Sequence, residues 1–79
     1  MSQPAIFADF NNADPRGGVR LNTIGTIEDL SRQGIQLREG MKLILHDDDL
    51  EADGEAHFST KENTWIAMIN WQAIRQKLA

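Results

Sequence analysis

The chain has 79 residues, no cysteine and a formal net charge of −4. A chain of this length holds one small apolar core, so we expect a single domain over residues 1–79 and no deep catalytic cleft. The lack of cysteine excludes disulfide bonds and thiolate metal ligands, and no stretch has the length and hydropathy of a membrane span, so we expect a cytoplasmic protein.

Five strands are predicted along the chain. Each is a run of apolar or alternating residues bounded by turn-forming residues. In order, the runs are Ala5 to Phe10, Val19 to Thr23, Met41 to His46, Glu55 to Thr60 and Thr64 to Asn70. Turn formers rich in Asn, Pro and Gly separate the first two runs, so we expect these two strands to form a hairpin and the last three to form a meander.

One helix is predicted between the second and third strands. Thr26 is a suitable N-cap for a helix that ends at Gln33, and Gly34 provides a left-handed residue just beyond it. Ile27 and Leu30 are then expected to face inward. So short a helix depends on packing rather than on intrinsic propensity.

A final helical turn is predicted over Trp71 to Leu78, with Asn70 as its cap. The order strand, strand, short helix, meander and helical turn resembles an SH3-like or related small β-barrel, with five strands in a partly open antiparallel sheet. The segment Glu39 to Leu43 is similar to the glycine turns that open strands in such barrels. This resemblance concerns an architecture and transfers no functional residues, because small barrels carry many unrelated functions.

The most concentrated chemistry is an acidic run between the third and fourth predicted strands. Its six carboxylates occupy nine consecutive positions: Asp47, Asp48, Asp49, Glu51, Asp53 and Glu55. They are half of the 12 acidic residues, and the rest of the chain holds eight basic and six acidic side chains. We therefore expect a nearly neutral body that carries one mobile, strongly anionic loop.

The alternation of the meander strands sorts their side chains into two faces. If Leu43 and Leu45 point inward, the register that keeps apolar partners together also turns Phe58, Trp65, Ala67 and Ile69 inward. The opposite face then carries the candidate binding residues Ile44, Ile66, Met68, His46 and His57. Its three apolar residues are more than a solvated face requires, so either the helix or the first hairpin covers them, or a partner does.

Two patterns suggest a metal ion. Asp49 to Gly54 has the D-x-E-x-D-G spacing of the first half of a calcium loop, but Thr60 stands at the twelfth position, where such loops need a bidentate glutamate. His46 and His57, each near a carboxylate in the sequence, are of the residue type that binds zinc. Lone histidines on a sheet are more often surface residues, so we predict no metal or other cofactor and keep weak divalent-cation binding as an alternative.

Catalysis is not expected, because no serine sits in a glycine-framed elbow and no glycine loop opens a helix to cradle phosphate. A small barrel that binds nucleic acid needs a continuous basic surface. Five basic residues could gather into one: Arg16, Arg20, Arg32, Arg38 and Lys42. The acidic loop would repel phosphate, so we predict a non-enzymatic protein-interaction module whose acidic loop steers a basic partner, with a weak homodimer or a nucleic-acid-associated barrel as alternatives.

Overall fold

The computed structural model describes residues 3–77. Within them the elements in chain order are β1 (Ala5–Phe7), β2 (Val19–Arg20), α1 (Ile24–Gln33), β3 (Lys42–His46), β4 (Leu50–Ser59), β5 (Thr64–Ile69), a turn of 3-10 helix (Trp71–Ala73) and β6 (Arg75–Gln76). The prediction of a strand-rich fold with one short helix after the second strand is confirmed. In this part of the chain, no helix combines the length and the apolar character needed to cross a membrane.

The sheet is a curled, partly open half-barrel. Its strand order is β1-β3-β4-β5-β2, and β6 lies beside the first residues of β4. The prediction of an antiparallel sheet is wrong at one pair: β1 runs parallel to β3, because a long connection that includes α1 returns the chain to the same end of the sheet, whereas the other pairs are antiparallel. The short strands β1 and β2 lie at opposite ends of this order, so the chain between them spans the open side, where it buries Ala8 and Phe10.

The predicted hairpin bend is present, because Ala13 forms an antiparallel bridge with Val19, but the prediction that β1 pairs with β2 across it is wrong. Within residues 3–77, β1 pairs with β3, where Ile6 lies opposite Leu45 and both side chains are fully buried. The turn formers make a separate bend just before β2, in which the Gly18 carbonyl accepts the Asp14 N–H at 2.8 Å. Burial of an apolar side chain in the core outweighs the local preference of the turn residues, because each such side chain contributes about 1.5–3 kcal/mol.

The face sorting of the meander is largely confirmed. The residues expected inward that lie in the core or pack against it are Leu43, Leu45, Trp65, Ala67 and Ile69. Phe58 is the exception, since its side chain is exposed. It lies opposite Trp65 near the end of the sheet, and the two rings meet edge to face with their centroids 5.4 Å apart. The core ends before this pair, so Phe58 covers Trp65 rather than filling the interior.

Helix α1 begins earlier than predicted, and the set of residues that faces the protein differs from the predicted set. Thr23 is the N-cap and its hydroxyl accepts the Thr26 N–H, so Thr26 is a buried helical residue rather than the cap. The predicted end is confirmed, because Gly34 adopts a left-handed conformation with φ of 67°. Ile27, expected to face inward, is exposed. The residues that face the protein are Thr26, Asp29 and Leu30.

The acidic run is not a mobile loop, and that prediction is wrong. Only Asp47 to Asp49 form a turn, in which an Asp47 carboxylate oxygen accepts the Asp49 N–H at 2.8 Å and the Leu50 N–H at 2.7 Å. β4 begins directly afterwards and is ten residues long. Its buried residues alternate with the acidic ones, so Ala52 points into the core while Glu51 points outward. The many acidic residues predicted a loop, although buried and outward-facing residues alternate here as in an ordinary strand.

The end of the chain forms a strand rather than the predicted helix. Asn70 does act as a cap, since its side chain accepts the Gln72 N–H at 3.0 Å, but the helical turn ends at Ala73. β6 then pairs with β4, with Arg75 opposite Glu51. This strand makes six in the sheet where five were predicted, and Leu78 lies outside the described residues.

Candidate functional site

A shallow trough runs along the outer face of β4 and β5, the face opposite the core. Two cavities of about 480 and 510 Å³ lie side by side there, and both are lined by His57 and Met68. These two residues share the face because Glu55 pairs with Met68 and His57 pairs with Ile66 in the β4–β5 register. We call the two cavities together the trough, with Met68 at its centre.

The first cavity lies between the bend before β2 and the end of the β4–β5 hairpin. Pro15 and Arg16 line it from the bend, and Lys61 lines it from the hairpin. The second cavity extends toward the other end of β4, where Lys42 and Asp53 line it. Charges of both signs therefore line each cavity: Asp14, Arg16, Lys61 and Glu62 in the first, and Lys42, Asp53 and Glu55 in the second.

Ile66 is covered by the protein itself, which is one of the alternatives that the sequence left open. Only 6% of its surface is accessible, because the bend before β2 covers it. A Cβ added at Gly18 would lie 3.0 Å from both Ile66 Cδ1 and Met68 Sδ, which shows how closely the bend packs. The cover is thus the first bend and not α1. Met68 remains 36% accessible and is the apolar residue that a partner could reach.

The other candidate residues do not join this group. Ile44 is half-buried opposite Ala5 and Asp53. His46 lies opposite Glu51, whereas His57 is six positions further along β4, which is about 20 Å at the rise of a strand. A zinc site between the two histidines is therefore excluded by distance. Among the described residues, no three His, Asp or Glu side chains are grouped as metal ligands.

The calcium pattern fails for a related reason. Glu51 and Asp53 project from alternate positions of an extended strand instead of curling around an ion. The side chain of Arg75 lies 3.8 Å from the Glu51 carboxylate and 3.4 Å from that of Asp53, and Lys77 donates to the Asp47 carbonyl at 2.9 Å. The C-terminal strand therefore partly neutralises the acidic run.

His57 is held between two carboxylates, one of which the sequence analysis missed. Its Nδ1 contacts the Glu39 carboxylate, and its Nε2 lies 2.9 Å from the Glu55 carboxylate. Glu55 also accepts a hydrogen bond from Lys42, and the second Glu39 oxygen accepts the Phe58 N–H at 2.9 Å. Glu39 is 18 residues from His57 in sequence. Only the β3–β4 register indicates this contact, because β4 continues past the first residue of β3 in that register.

These contacts shift the pKa values of all three groups. The hydrogen bond with Glu39, reinforced by Glu55, raises the pKa of His57 against a smaller opposing effect of desolvation. The Phe58 N–H and then His57 lower the pKa of Glu39, and Lys42 and then His57 lower the pKa of Glu55. The three groups thus favour an imidazolium flanked by two carboxylates.

Of the five basic residues that could form one surface, Arg16 and Arg38 are exposed and the other three form separate ion pairs on different elements. Arg20 lies 2.7 Å from Glu62, whereas Arg32 pairs with Asp29 and Lys42 pairs with Glu55. Each of these cations is compensated by a neighbouring carboxylate. The arrangement does not favour the continuous basic surface that a nucleic-acid-binding barrel needs.

Comparison with known proteins adds no assignment. No protein-family model matches the chain, and no significant match was found among curated proteins or among solved structures. The functional argument therefore depends on the outer face alone.

Proposed function

We propose that the chain is a non-enzymatic protein-interaction module that binds an extended segment of a partner protein in the trough. The observation that carries this proposal is the position of Met68, which stands accessible between two adjoining cavities. Each cavity has the volume of a typical ligand site. An apolar centre with a polar rim is the usual composition of a protein interface.

The charges around the trough specify the partner segment further. The exposed Arg16 and Lys61 at one end favour an acidic side chain, because Glu62 beside them is paired with Arg20. Asp53 at the other end lies 3.4 Å from Arg75 but is 69% exposed, so it still favours a basic side chain. The exposed Asp48 and Asp49 lie in the turn before β4 and extend the negative potential beyond Asp53. They act as steering charges, which is the role expected of the acidic run, although the run is mostly strand.

The assignment to an SH3-like barrel and the cytoplasmic location belong to the same proposal. The curled, partly open sheet with one short helix supports the first. A second copy of the chain is the competing occupant of the trough. Ile66 is buried and Ile44 is half-buried, so Met68 is the one exposed residue of the three predicted apolar residues, which disfavours a homodimer through this face.

The proposal is tested by selecting random peptides against the wild-type protein and measuring the enriched peptides by calorimetry. We expect sequences with an apolar residue between an acidic and a basic end. The substitution Met68→Glu should weaken their binding at least about tenfold, since an apolar anchor contributes roughly 1.5–3 kcal/mol. Ile24→Glu is the matched control, because Ile24 is an exposed apolar residue on α1, and it should leave binding unchanged.

Three outcomes would contradict the proposal. The first is that no peptide is enriched, and the second is that Met68→Glu and Ile24→Glu behave alike. The third is that wild-type protein sediments as a dimer that Met68→Glu dissociates, which would make a second copy the occupant. Salt-dependent binding of single-stranded oligonucleotides that is insensitive to Met68→Glu would instead support the nucleic-acid alternative.

A further inference from the structure

The segment between α1 and β3 is attached to the sheet through β4. The β3–β4 ladder ends at the pair Lys42 and Glu55. Because Lys42 is the first residue of β3, residues 56–59 of β4 run past the beginning of β3. Residues 35–41 take the place of the missing strand there. The Gly40 N–H donates to the Ala56 carbonyl at 2.7 Å, and the Ala56 N–H donates to the Met41 carbonyl at 2.8 Å. We call residues 56–59 on this side the β4 edge.

The same segment covers part of the core. Ile35, Leu37 and Met41 are half-buried and pack against the core residues. Further along the β4 edge the backbone partner is replaced by a side chain, since Glu39 accepts the Phe58 N–H. The attachment of residues 35–41 therefore ends in a single carboxylate, which also contacts His57.

The protonation state of His57 decides whether that carboxylate is held. Each ring nitrogen of His57 faces a carboxylate oxygen, from Glu39 on one side and Glu55 on the other. A carboxylate can only accept hydrogen bonds, so both ring nitrogens must carry a proton. When one proton is lost, a nitrogen lone pair faces a negatively charged oxygen, and that contact becomes repulsive.

We propose that Glu39, His57 and Glu55 form a pH-sensitive clamp, which fastens the Glu39 side chain to the β4 edge while both ring nitrogens of His57 are protonated and loosens when one is not. Glu39 is the side that moves. It is 64% exposed and its other partner is one backbone N–H, whereas Glu55 is also held by Lys42. His57 and Glu55 also line the trough, but the clamp does not depend on peptide binding.

The other charges around His57 are already engaged or face solvent. Across the first cavity, Asp14 accepts the Gly18 N–H at 2.7 Å, and Arg16 lies on the same bend. On the hairpin, Glu62 is paired with Arg20 and Lys61 is exposed. The further charged groups that share a cavity with His57 are Lys42, Asp53 and Glu55, and the β5 residues that face it are Ile66 and Met68. Glu39 and Glu55 therefore remain its direct charged partners.

The pH range of the clamp follows from these contacts. Because the pKa of His57 is raised, its contribution is complete below the ordinary value of about 6.5 and is lost as the pH rises through the higher folded value. The pKa values of Glu39 and Glu55 are lowered, so their contribution is present above about 4.3 and is lost as the pH falls through the lower folded values. The clamp is closed between these limits and opens on either side.

The test uses nuclear magnetic resonance on the isolated wild-type protein. The pKa of His57 is measured from its ring nitrogens, and hydrogen exchange of the Phe58 amide, corrected for its intrinsic rate, reports the Glu39 contact. We expect Phe58 protection to fall about three- to tenfold as His57 loses its proton. In Glu39→Gln the pKa of His57 should fall, and Phe58 protection should no longer change with His57, because the amide oxygen still accepts the N–H but carries no charge.

Two variants complete the test. In His57→Gln, Phe58 protection should be constant across the neutral range. Glu28→Gln, an exposed glutamate on α1, is the matched control and should leave the pKa of His57 unchanged. The clamp is refuted if Phe58 protection in the wild type does not change as His57 titrates, or if Glu39→Gln leaves the pKa of His57 where it was. Neither result would bear on whether peptides bind the trough.

Discussion

Two strand edges of the half-barrel, the outer side of β1 and the β4 edge, are closed by the same chemical device in different surroundings. At β1, on the side away from β3, the Phe7 N–H donates to an Asp29 oxygen at 2.8 Å, and Gln33 of α1 donates to the Ala5 carbonyl at 2.8 Å. At the β4 edge, the Phe58 N–H donates to Glu39 at 2.9 Å. In both places a carboxylate takes the position of a missing strand.

Burial separates the two. The Asp29 side chain is 7% exposed and also accepts hydrogen bonds from Arg32 and Gln33, whereas that of Glu39 is 64% exposed. Burial alone would raise the pKa of Asp29, but the hydrogen bonds from Phe7, Gln33 and Arg32 together lower it. A carboxylate that is buried with every partner in place fixes an edge, and one in water holds an edge only under suitable conditions.

The largest effect is expected at the buried edge. Asp29→Ala removes the acceptor of the Phe7 N–H and leaves this partly buried N–H without a partner. The free energy of unfolding should therefore fall by about 2–4 kcal/mol in urea denaturation. Asp29→Asn, which keeps one acceptor, should cost less and gives a measurable protein if the alanine variant does not fold. Glu28→Ala on the same helix is the control, and equal losses for Asp29→Ala and Glu28→Ala would refute a structural role for the carboxylate.

The lowered pKa of Asp29 also sets how its contribution to stability depends on pH. Because the pKa of Asp29 is lowered in the folded protein, its contribution is present above about 3.9 and is lost as the pH falls through the lower folded value. The stability difference between wild type and Asp29→Asn should therefore be constant from neutral to mildly acidic pH and shrink in strong acid. A difference that grows on acidification would show that the sign is wrong.

An intermediate effect is expected at the turn before β4. Asp47 is half-buried and accepts two backbone N–H groups, so Asp47→Ala should lower the free energy of unfolding by about 1 kcal/mol. Its neighbour Asp48 is exposed, and Asp48→Ala should change stability by less than about 0.5 kcal/mol. If the two alanine variants melt together, the turn does not depend on the Asp47 carboxylate.

The smallest effect is expected at the exposed edge. Glu39→Ala should leave Tm within about 2 °C of wild type at neutral pH, since water screens its interactions and can replace its hydrogen bond to Phe58. Thermal melts of Glu39→Ala and Asp29→Asn in the same buffer compare the two edges directly. A larger loss for Glu39→Ala than for Asp29→Asn would reverse the comparison.

The sequence predicted the parts of this fold that depend on neighbours along the chain. The strand at Lys42–His46 and the end of α1 at Gly34 agree with the structure because alternation and a left-handed glycine are local signals. The acidic run carries two conflicting signals. Its charge predicts a loop, whereas the alternation of Leu50, Ala52 and Gly54 predicts the inward face of a strand, and the structure agrees with the alternation.

The candidate site was predicted only in part. His57 and Met68 were placed on the outer face correctly, because strand alternation is enough to choose a face. The burial of Ile66 was predicted only as one of several alternatives, since its cover comes from a bend almost 50 residues earlier in the chain. Glu39 was missed for the same reason. Glu39 contacts His57 because β4 extends past the first residue of β3, and no pattern within a few residues of the sequence predicts how far it extends.

By itself the sequence determined a small, strand-rich chain, the inward face of its central strands and a concentration of acid near the middle. Tertiary structure alone decided that β1 would pair with β3 and that β6 would neutralise part of the acidic run. It also decided that two edges would be closed by carboxylates. The physical reason is that burial and pairing between distant segments depend on the whole packed arrangement, whereas propensity and alternation act within a few residues.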